Sequence, residues 1–186
     1  MHRTDGPQLS AQGPAEYVSI VQFGSSARTY YDHVRLQGPP PALQYHGGGT
    51  AFRPPMQEAQ RLVTSHGGNG PVAIIFMSDG CSGDGVPTDI LQQLATARGK
   101  NFSCYTVGFG SGASASSLGA MAYKNGRQDS NNYKSASIGA LGTTFEAIAD
   151  DMYAPRALLP LAGSWFSPID CLPCSQWRKF GLQGAC

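Results

Sequence analysis

Charge is scarce in this chain. Charged residues fill 13% of its 186 positions, about half the usual share. The 13 basic residues face 12 acidic ones, for a formal net charge of +1. That balance excludes the electrostatic footprint of a nucleic-acid binder and the polybasic block of a membrane-surface protein. Long hydrophobic runs are missing too. No apolar stretch approaches the ~18–20 residues of a transmembrane helix. The opening Met1-His2-Arg3-Thr4-Asp5-Gly6-Pro7 has no apolar core of a signal peptide. Cysteine is sparse: five residues, an odd number at irregular spacing. That argues against a disulfide framework and for a reducing, cytoplasmic setting. Histidine stops early, with His2, His33, His46 and His66 and none beyond. What is plentiful is glycine (24) and proline (13), which points to an ordered core carrying many glycine-rich loops.

Residues 1–15 are polar, broken by Gly6, Pro7, Gly13 and Pro14, and read as an irregular N-terminal segment. Residues 16–152 read as one domain. Tyr17–Phe23 is a β-rich run closed by Gly24, and Arg28–Leu36 is a second strand, followed by the stiff loop Gly38-Pro39-Pro40-Pro41. After Gly47-Gly48-Gly49-Thr50 a helix is expected, with Pro54 and Pro55 in its first turn and its end at His66-Gly67-Gly68. Val72–Met77 is apolar at every position, the pattern of a strand covered on both faces in a parallel sheet. A helix near Asp89–Arg98, a strand Phe102–Val107, a short helix near Ser116–Ala122 and an edge strand near Asn132–Ala136 follow. Ser137 then caps a last helix with apolar positions Ile138, Leu141, Phe145, Ile148 and Met152. Strand and helix alternate, so the fold class is α/β with an open sheet. Residues 153–186 form an irregular C-terminal tail with four prolines.

In such a sheet, ligands bind beyond the carboxyl ends of the strands. Three segments end there: Phe23-Gly24-Ser25-Ser26, Met77-Ser78-Asp79-Gly80 and Val107-Gly108-Phe109-Gly110. Asp79 puts a carboxylate at such an end, and Thr50 a hydroxyl in a glycine loop before a helix. Oxygen donors of this kind suit Mg²⁺ or Mn²⁺. Taken singly, Asp79-Gly80 also reads as a turn and Thr50 as a helix cap.

Taken together, Val18–Phe23, Gly47-Gly48-Gly49-Thr50-Ala51-Phe52, Ile74–Gly80, Tyr105–Gly110 and the closing Phe145-Glu146-Ala147-Ile148-Ala149 resemble a von Willebrand factor type A domain over residues 16–152. The resemblance implies a doubly wound, mostly parallel sheet with helices on both faces and a metal-ion-dependent adhesion site at its top. In the family the metal is held by an Asp-x-Ser-x-Ser segment after the first strand, a loop threonine and an aspartate after the fourth strand. By resemblance Thr50 is the loop ligand and Asp79 the carboxylate, usually acting through water. A partner's Asp or Glu completes the site, so the resemblance implies a non-enzymatic protein-interaction module. The partner-binding loops would be those of Ser25, Ser26, Gly48, Gly49, Ser82, Asp84 and Gly110, with Ser82 and Asp84 also able to lend oxygens.

The chain departs from the family at one point. It has no Asp-x-Ser-x-Ser. The first, central strand, the first helix and three ligands have no counterpart, so the sequence reads as an N-terminally truncated domain. The strands at Tyr17 and Val72 then lack their shared neighbour, and closing up against each other is the expected response. A cation site made by this chain alone would be partial.

Other readings compete. Gly108-Phe109-Gly110-Ser111-Gly112-Ala113 matches a dinucleotide fingerprint after a strand, with Asp129 as the acidic residue; the alternative function is a nucleotide (NAD/FAD)-binding enzyme, or an accessory domain of a larger one. No apolar strand delivers Asp129 to a ribose. His46-Gly47-Gly48-Gly49 resembles an esterase oxyanion loop with Ser114 as nucleophile, but no histidine follows Ser114, so the hydrolase order cannot be built. Cys171, Cys174 and Cys186 offer three zinc ligands without a fourth. Trp165, Phe166 and Trp177 read as tail aromatics packed on the domain. Cys81 and Cys104 read as plain thiols.

Overall fold

The structure is a computed structural model, and it describes residues 17–35, 48–66 and 68–153. The tail cysteines and aromatics, the N-terminal segment, the Pro39–Pro41 loop and His46 lie outside those residues. Strands β1 (Tyr17–Phe23) and β2 (Ala27–Arg35) form an antiparallel hairpin. Helix α1 (Arg53–His66) follows, then β3 (Val72–Ser78), α2 (Thr88–Arg98) and β4 (Phe102–Phe109). A short α3 (Ala115–Ala120) leads to a two-residue-per-strand hairpin, β5 (Tyr123–Lys124) and β6 (Arg127–Gln128). Strand β7 (Tyr133–Ala136) and helix α4 (Leu141–Tyr153) close the domain. A 3-10 turn, Ile138–Ala140, intervenes before α4, so the helix expected to start right after Ser137 starts at Leu141.

Strand β4 is the axis. It pairs in parallel with β3 (Ile74 opposite Cys104) and with β7 (Thr106 opposite Tyr133), and antiparallel with β5 through Cys104 and Tyr123. Alternate side chains leave on opposite faces. On one face Ile74, Phe76, Phe102 and Cys104 pack with Met56 of α1 and with Ile90, Leu91, Leu94 and Ala95 of α2. On the other, Tyr105 and Val107 pack with Ile148 of α4, with Ala73, Met77 and Leu141 against them. Helices thus lie on both faces of β4, as the alternation predicts. Among the described residues no helix is long and apolar enough to cross a membrane.

Two expectations about the sheet need correction. Strands β1 and β3 do not close up by backbone pairing: β1 and β2 are a separate two-stranded sheet. The hairpin is fastened to α1 instead. The Thr29 hydroxyl donates to Glu58, and His66 Nε2 sits 2.5 Å from Asp32 Oδ1. An aromatic contact bridges to β3, with Phe23 stacked on Phe76 at 4.9 Å between ring centroids. The all-apolar β3 is also not covered on both faces. That environment belongs to β4, buried from Phe102 to Gly108, while Ile75 of β3 stays 41% exposed. Strand β3 has β4 on one edge and no second strand partner among the described residues, and α4 reaches only part of its outer face.

The Glu58 carboxyl is held down at about 2, first by the Arg61 guanidinium and then by the Thr29 hydroxyl, against a smaller opposing effect of burial. A lowered carboxyl stabilises the fold above its unfolded value near pH 4.3. That contribution fades as the pH falls through about 2. The α1–hairpin fastening is therefore an acid-sensitive joint.

Candidate functional site

Four loops meet at the carboxyl ends of β1, β3 and β4. Each is tied to the next by a hydrogen bond with at least one backbone partner. The Gly49 N–H donates to Ser25 Oγ at 2.9 Å, and the Ala51 N–H to the Gly24 carbonyl at 2.9 Å. The Gly83 N–H donates to the Thr50 carbonyl at 2.8 Å. The Cys81 thiol donates to the Gly112 carbonyl at 3.2 Å. These approaches need glycine. A Cβ on Gly80 would sit 2.9 Å from Thr50 Oγ1, and one on Gly112 would sit 2.6 Å from the Asp79 carbonyl oxygen. The Thr50 hydroxyl thus lies against the Asp79-Gly80 segment, and the Gly112 loop packs on the same segment.

Under the loops Phe52, fully buried, meets Phe76 at 4.9 Å and Phe23 edge-on at 6.4 Å. Beside them a depression of about 220 Å³ opens, lined by Ser25, Ser26 and Gly48 among others. Gly110, also exposed, turns out of β4 with φ +77.

Ser82 and Asp84 have a structural task. Asp84 accepts from the N–H groups of Phe52 (2.8 Å) and Arg53 (3.0 Å), and from the Ser82 hydroxyl (2.8 Å). Pro54 and Pro55 have no N–H, and the Met56 N–H returns to the Phe52 carbonyl. The orphan donors that open any helix are thus all satisfied at α1. The Asp84 oxygens are engaged there instead of standing free for a cation. No local capping motif announces this, because the carboxylate arrives from 31 residues away. Arg53 adds a bidentate pair to Asp89 of α2, 2.9 Å for each bond.

Burial raises the Asp84 carboxyl, but the bonds from Phe52, Ser82 and Arg53 outweigh it and leave the value lowered. The contribution is therefore present above the unfolded carboxyl value near pH 4 and is lost as the pH falls through the folded one. Asp84→Ala is expected to cost about 1 kcal/mol at pH 7, the usual loss for a cap. The difference from the parent should shrink at pH 3. Urea unfolding at the two pH values checks both.

The competing motifs dissolve in packing. A Cβ on Gly108 would meet Leu118, Tyr133 and Ala113, so this glycine is there for close approach inside the sheet layer. The Asp129 carboxylate accepts from the Asn131 N–H and caps a 3-10 turn. Ser114 caps α3 through the Ser117 N–H. Cys104 is fully buried, and burial pushes its thiol up to about 12.

A divalent cation would find hard oxygen donors of the right type in Thr50 and Asp79, with the Ser25 and Ser26 hydroxyls at a neighbouring loop. The number is too small. Mg²⁺ is octahedral and is usually anchored by one or two carboxylates plus other oxygens. Among the described residues no three His, Cys, Asp or Glu side chains form a metal-holding group. The donor set is the right kind and is incomplete.

Comparison with known proteins gives the same architecture. Residues 8–147 match the family model of the von Willebrand factor type A domain. The solved structure of proximal thread matrix protein 1 from the mussel byssus aligns with a TM-score of 0.58 at 18% identity, covering 72% of this chain and 36% of that one. A second structure of that protein, with a zinc-occupied MIDAS motif, aligns with the same score and identity and is covered over 35% of its length. The chain therefore spans about a third of the protein it aligns with. No curated protein matches the sequence. With three-quarters of its residues inside the family match and the four loops in the family order, the chain belongs to the von Willebrand factor type A domain family.

Proposed function

We propose that this domain is a non-enzymatic interaction module that takes an acidic residue of a protein partner at its loop pole, through a divalent cation once the cation's ligand set is complete. The observation that carries the reading is the approach of the Thr50 hydroxyl to the Asp79-Gly80 segment, at a pole where four loops are locked together. Thr50 and Asp79 would hold the ion. Its role would be to bridge a partner carboxylate, as hard-cation chemistry favours. The zinc-occupied MIDAS motif of the mussel protein supports a divalent ion at this place in the family.

The remaining ligands would come from a strand seated between β1 and β3. Both strands run their carboxyl ends into the loop pole, and neither has a second strand partner among the described residues. A strand there, ending in Asp-x-Ser-x-Ser, would pair both edges and bring three oxygens to the Thr50–Asp79 side. An intracellular setting belongs to the same proposal, resting on the odd number and irregular spacing of the cysteines in the sequence.

The test is titration of the chain with Mg²⁺ and Mn²⁺, followed by amide chemical shifts and Mn²⁺ relaxation. Weak, saturable effects confined to Thr50, Asp79 and Gly80 are expected. They should vanish in Asp79→Ala and strengthen at least tenfold in a form of the chain extended by an Asp-x-Ser-x-Ser strand. If the extended form binds no more tightly than the chain alone, the reading fails.

A further inference from the structure

We propose that the cleft at the opposite pole, between the Gly99–Asn101 turn and the β5–β6 hairpin, binds a tetrahedral oxyanion, the sulfate or phosphate ester of a sugar-sized ligand. The cleft has a volume of about 500 Å³ and is lined by Lys100, Lys124, Asn125, Arg127, Gln128 and Asp129. That volume would hold a small molecule, but Lys100, Asn125, Arg127 and Gln128 are exposed, so a ligand held there keeps one side in water.

The charge distribution singles this cleft out. Most cations among the described residues are engaged. Arg53 pairs with Asp89, Arg61 with Glu58, and Lys124 with Asp151. Arg98 donates to the Gly68 and Gly70 carbonyls, Lys134 to the Asn131 carbonyl, and Arg28 lies over Tyr30. The side chains of Lys100, Arg127 and Arg35 make no ion pair or hydrogen bond among the described residues. Two of those three line the same cleft. The two carboxylates near them are already turned to other work: Asp151 holds Lys124 at 2.6 Å and the Tyr105 hydroxyl at 2.8 Å, and Asp129 accepts from the Asn131 N–H.

Backbone hydrogen bonds hold the hairpin wall in place. Asn125 and Gly126 both take left-handed backbone, with φ +51 and +77. The Gly126 N–H donates to the Phe102 carbonyl at 2.7 Å, and the Asn125 N–H to Ser103 Oγ at 3.2 Å. The hairpin is thus pinned to the start of β4, and Lys124 is held by its carboxylate. A guanidinium fork, an ammonium and the Asn125 side-chain amide offer donors to more than two oxygens, with one hydrogen of the Gln128 amide left over after the other donates to the Ala120 carbonyl at 3.4 Å, and this suits a tetrahedral oxyanion better than a carboxylate. The cleft lies at the amino end of β4 and the cation pole at its carboxyl end, about 25 Å apart for an eight-residue strand. Both sites can be filled together.

The experiment titrates the ¹⁵N-labelled chain, at constant ionic strength in chloride, with inorganic sulfate, inorganic phosphate and a sulfated disaccharide. Saturable shifts of the Lys100, Asn125, Gly126 and Arg127 amides are expected. The disaccharide should bind at least tenfold more tightly than either free ion. Equal affinity for a free ion would make that ion the occupant and overturn the sugar-sized part of the proposal. Lys100→Ala combined with Arg127→Ala should weaken binding at least tenfold and leave the Mg²⁺ response at Asp79 unchanged. Arg127→Lys should retain part of the affinity. Uniform shifts that never saturate, or a titration unaltered in the double variant, would overturn the site itself.

Discussion

Replacing Phe52 by alanine is expected to cost about 3–5 kcal/mol of stability and to disorder the loop pole with it. The ring has no exposed surface. It stands at 73° to Phe76 and 89° to Phe23, so one side chain joins α1, β3 and β1. Its backbone N–H is one of the two that Asp84 accepts, and it follows Thr50 by two residues. Alanine leaves a cavity where the two sheets touch. Collapse is hindered, because Phe23 and Phe76 are already stacked on each other and cannot both fill the gap. Phe52→Leu should recover most of the loss, leaving roughly 1–1.5 kcal/mol, since a hydrophobe of nearly matching volume keeps the layer filled. Urea unfolding measures the stabilities, and amide shifts of Thr50, Gly80 and Gly112 report the pole. A loss below about 1 kcal/mol for the alanine variant would mean that the aromatic trio is loosely packed and does not set the loops.

The elements that carry their own local signal were legible. Pro54 and Pro55 mark the opening of α1, which spans Arg53–His66. The apolar runs at Val72 and Phe102 are the parallel pair β3 and β4. The loops that end these strands converge as the family order implies, and the family itself was readable from Gly48–Phe52, Ile74–Gly80 and Tyr105–Gly110. What was illegible depends on partners distant in sequence. Whether an all-apolar strand is buried on both faces depends on its neighbours, so Ile75 and Tyr105 look alike in sequence and differ in the fold: one is 41% exposed and the other 3%. The Asp84 cap reaches Arg53 across 31 residues and follows no local pattern. The bipolar layout, oxygen donors at one end of β4 and unpaired cations at the other, emerges only when Lys100 and Arg127 are brought together by the chain's return through Gly126.

That return is where a single methyl group should do most harm outside the core. In the β5–β6 hairpin the Asn125-Gly126 dipeptide is a strong short-range turn signal, yet only two residues flank it on each side, too few for a visible alternation. Gly126 has φ +77, and a Cβ there would run into the Gly99 carbonyl oxygen, which is backbone and cannot rotate away. Gly126→Ala combines left-handed strain with a clash, and about 3 kcal/mol of destabilisation is expected. Moving the hairpin would also break the Gly126–Phe102 hydrogen bond at the entry to β4. Asn125→Gly is the control: the position is already left-handed at φ +51, a conformation glycine adopts without strain, and its stability should change by less than about 1 kcal/mol. Urea unfolding of the two variants separates the effects. A Gly126→Ala protein as stable as the parent would show that the hairpin is not pinned to the Gly99 turn, and the cleft between them would lose its pinned wall.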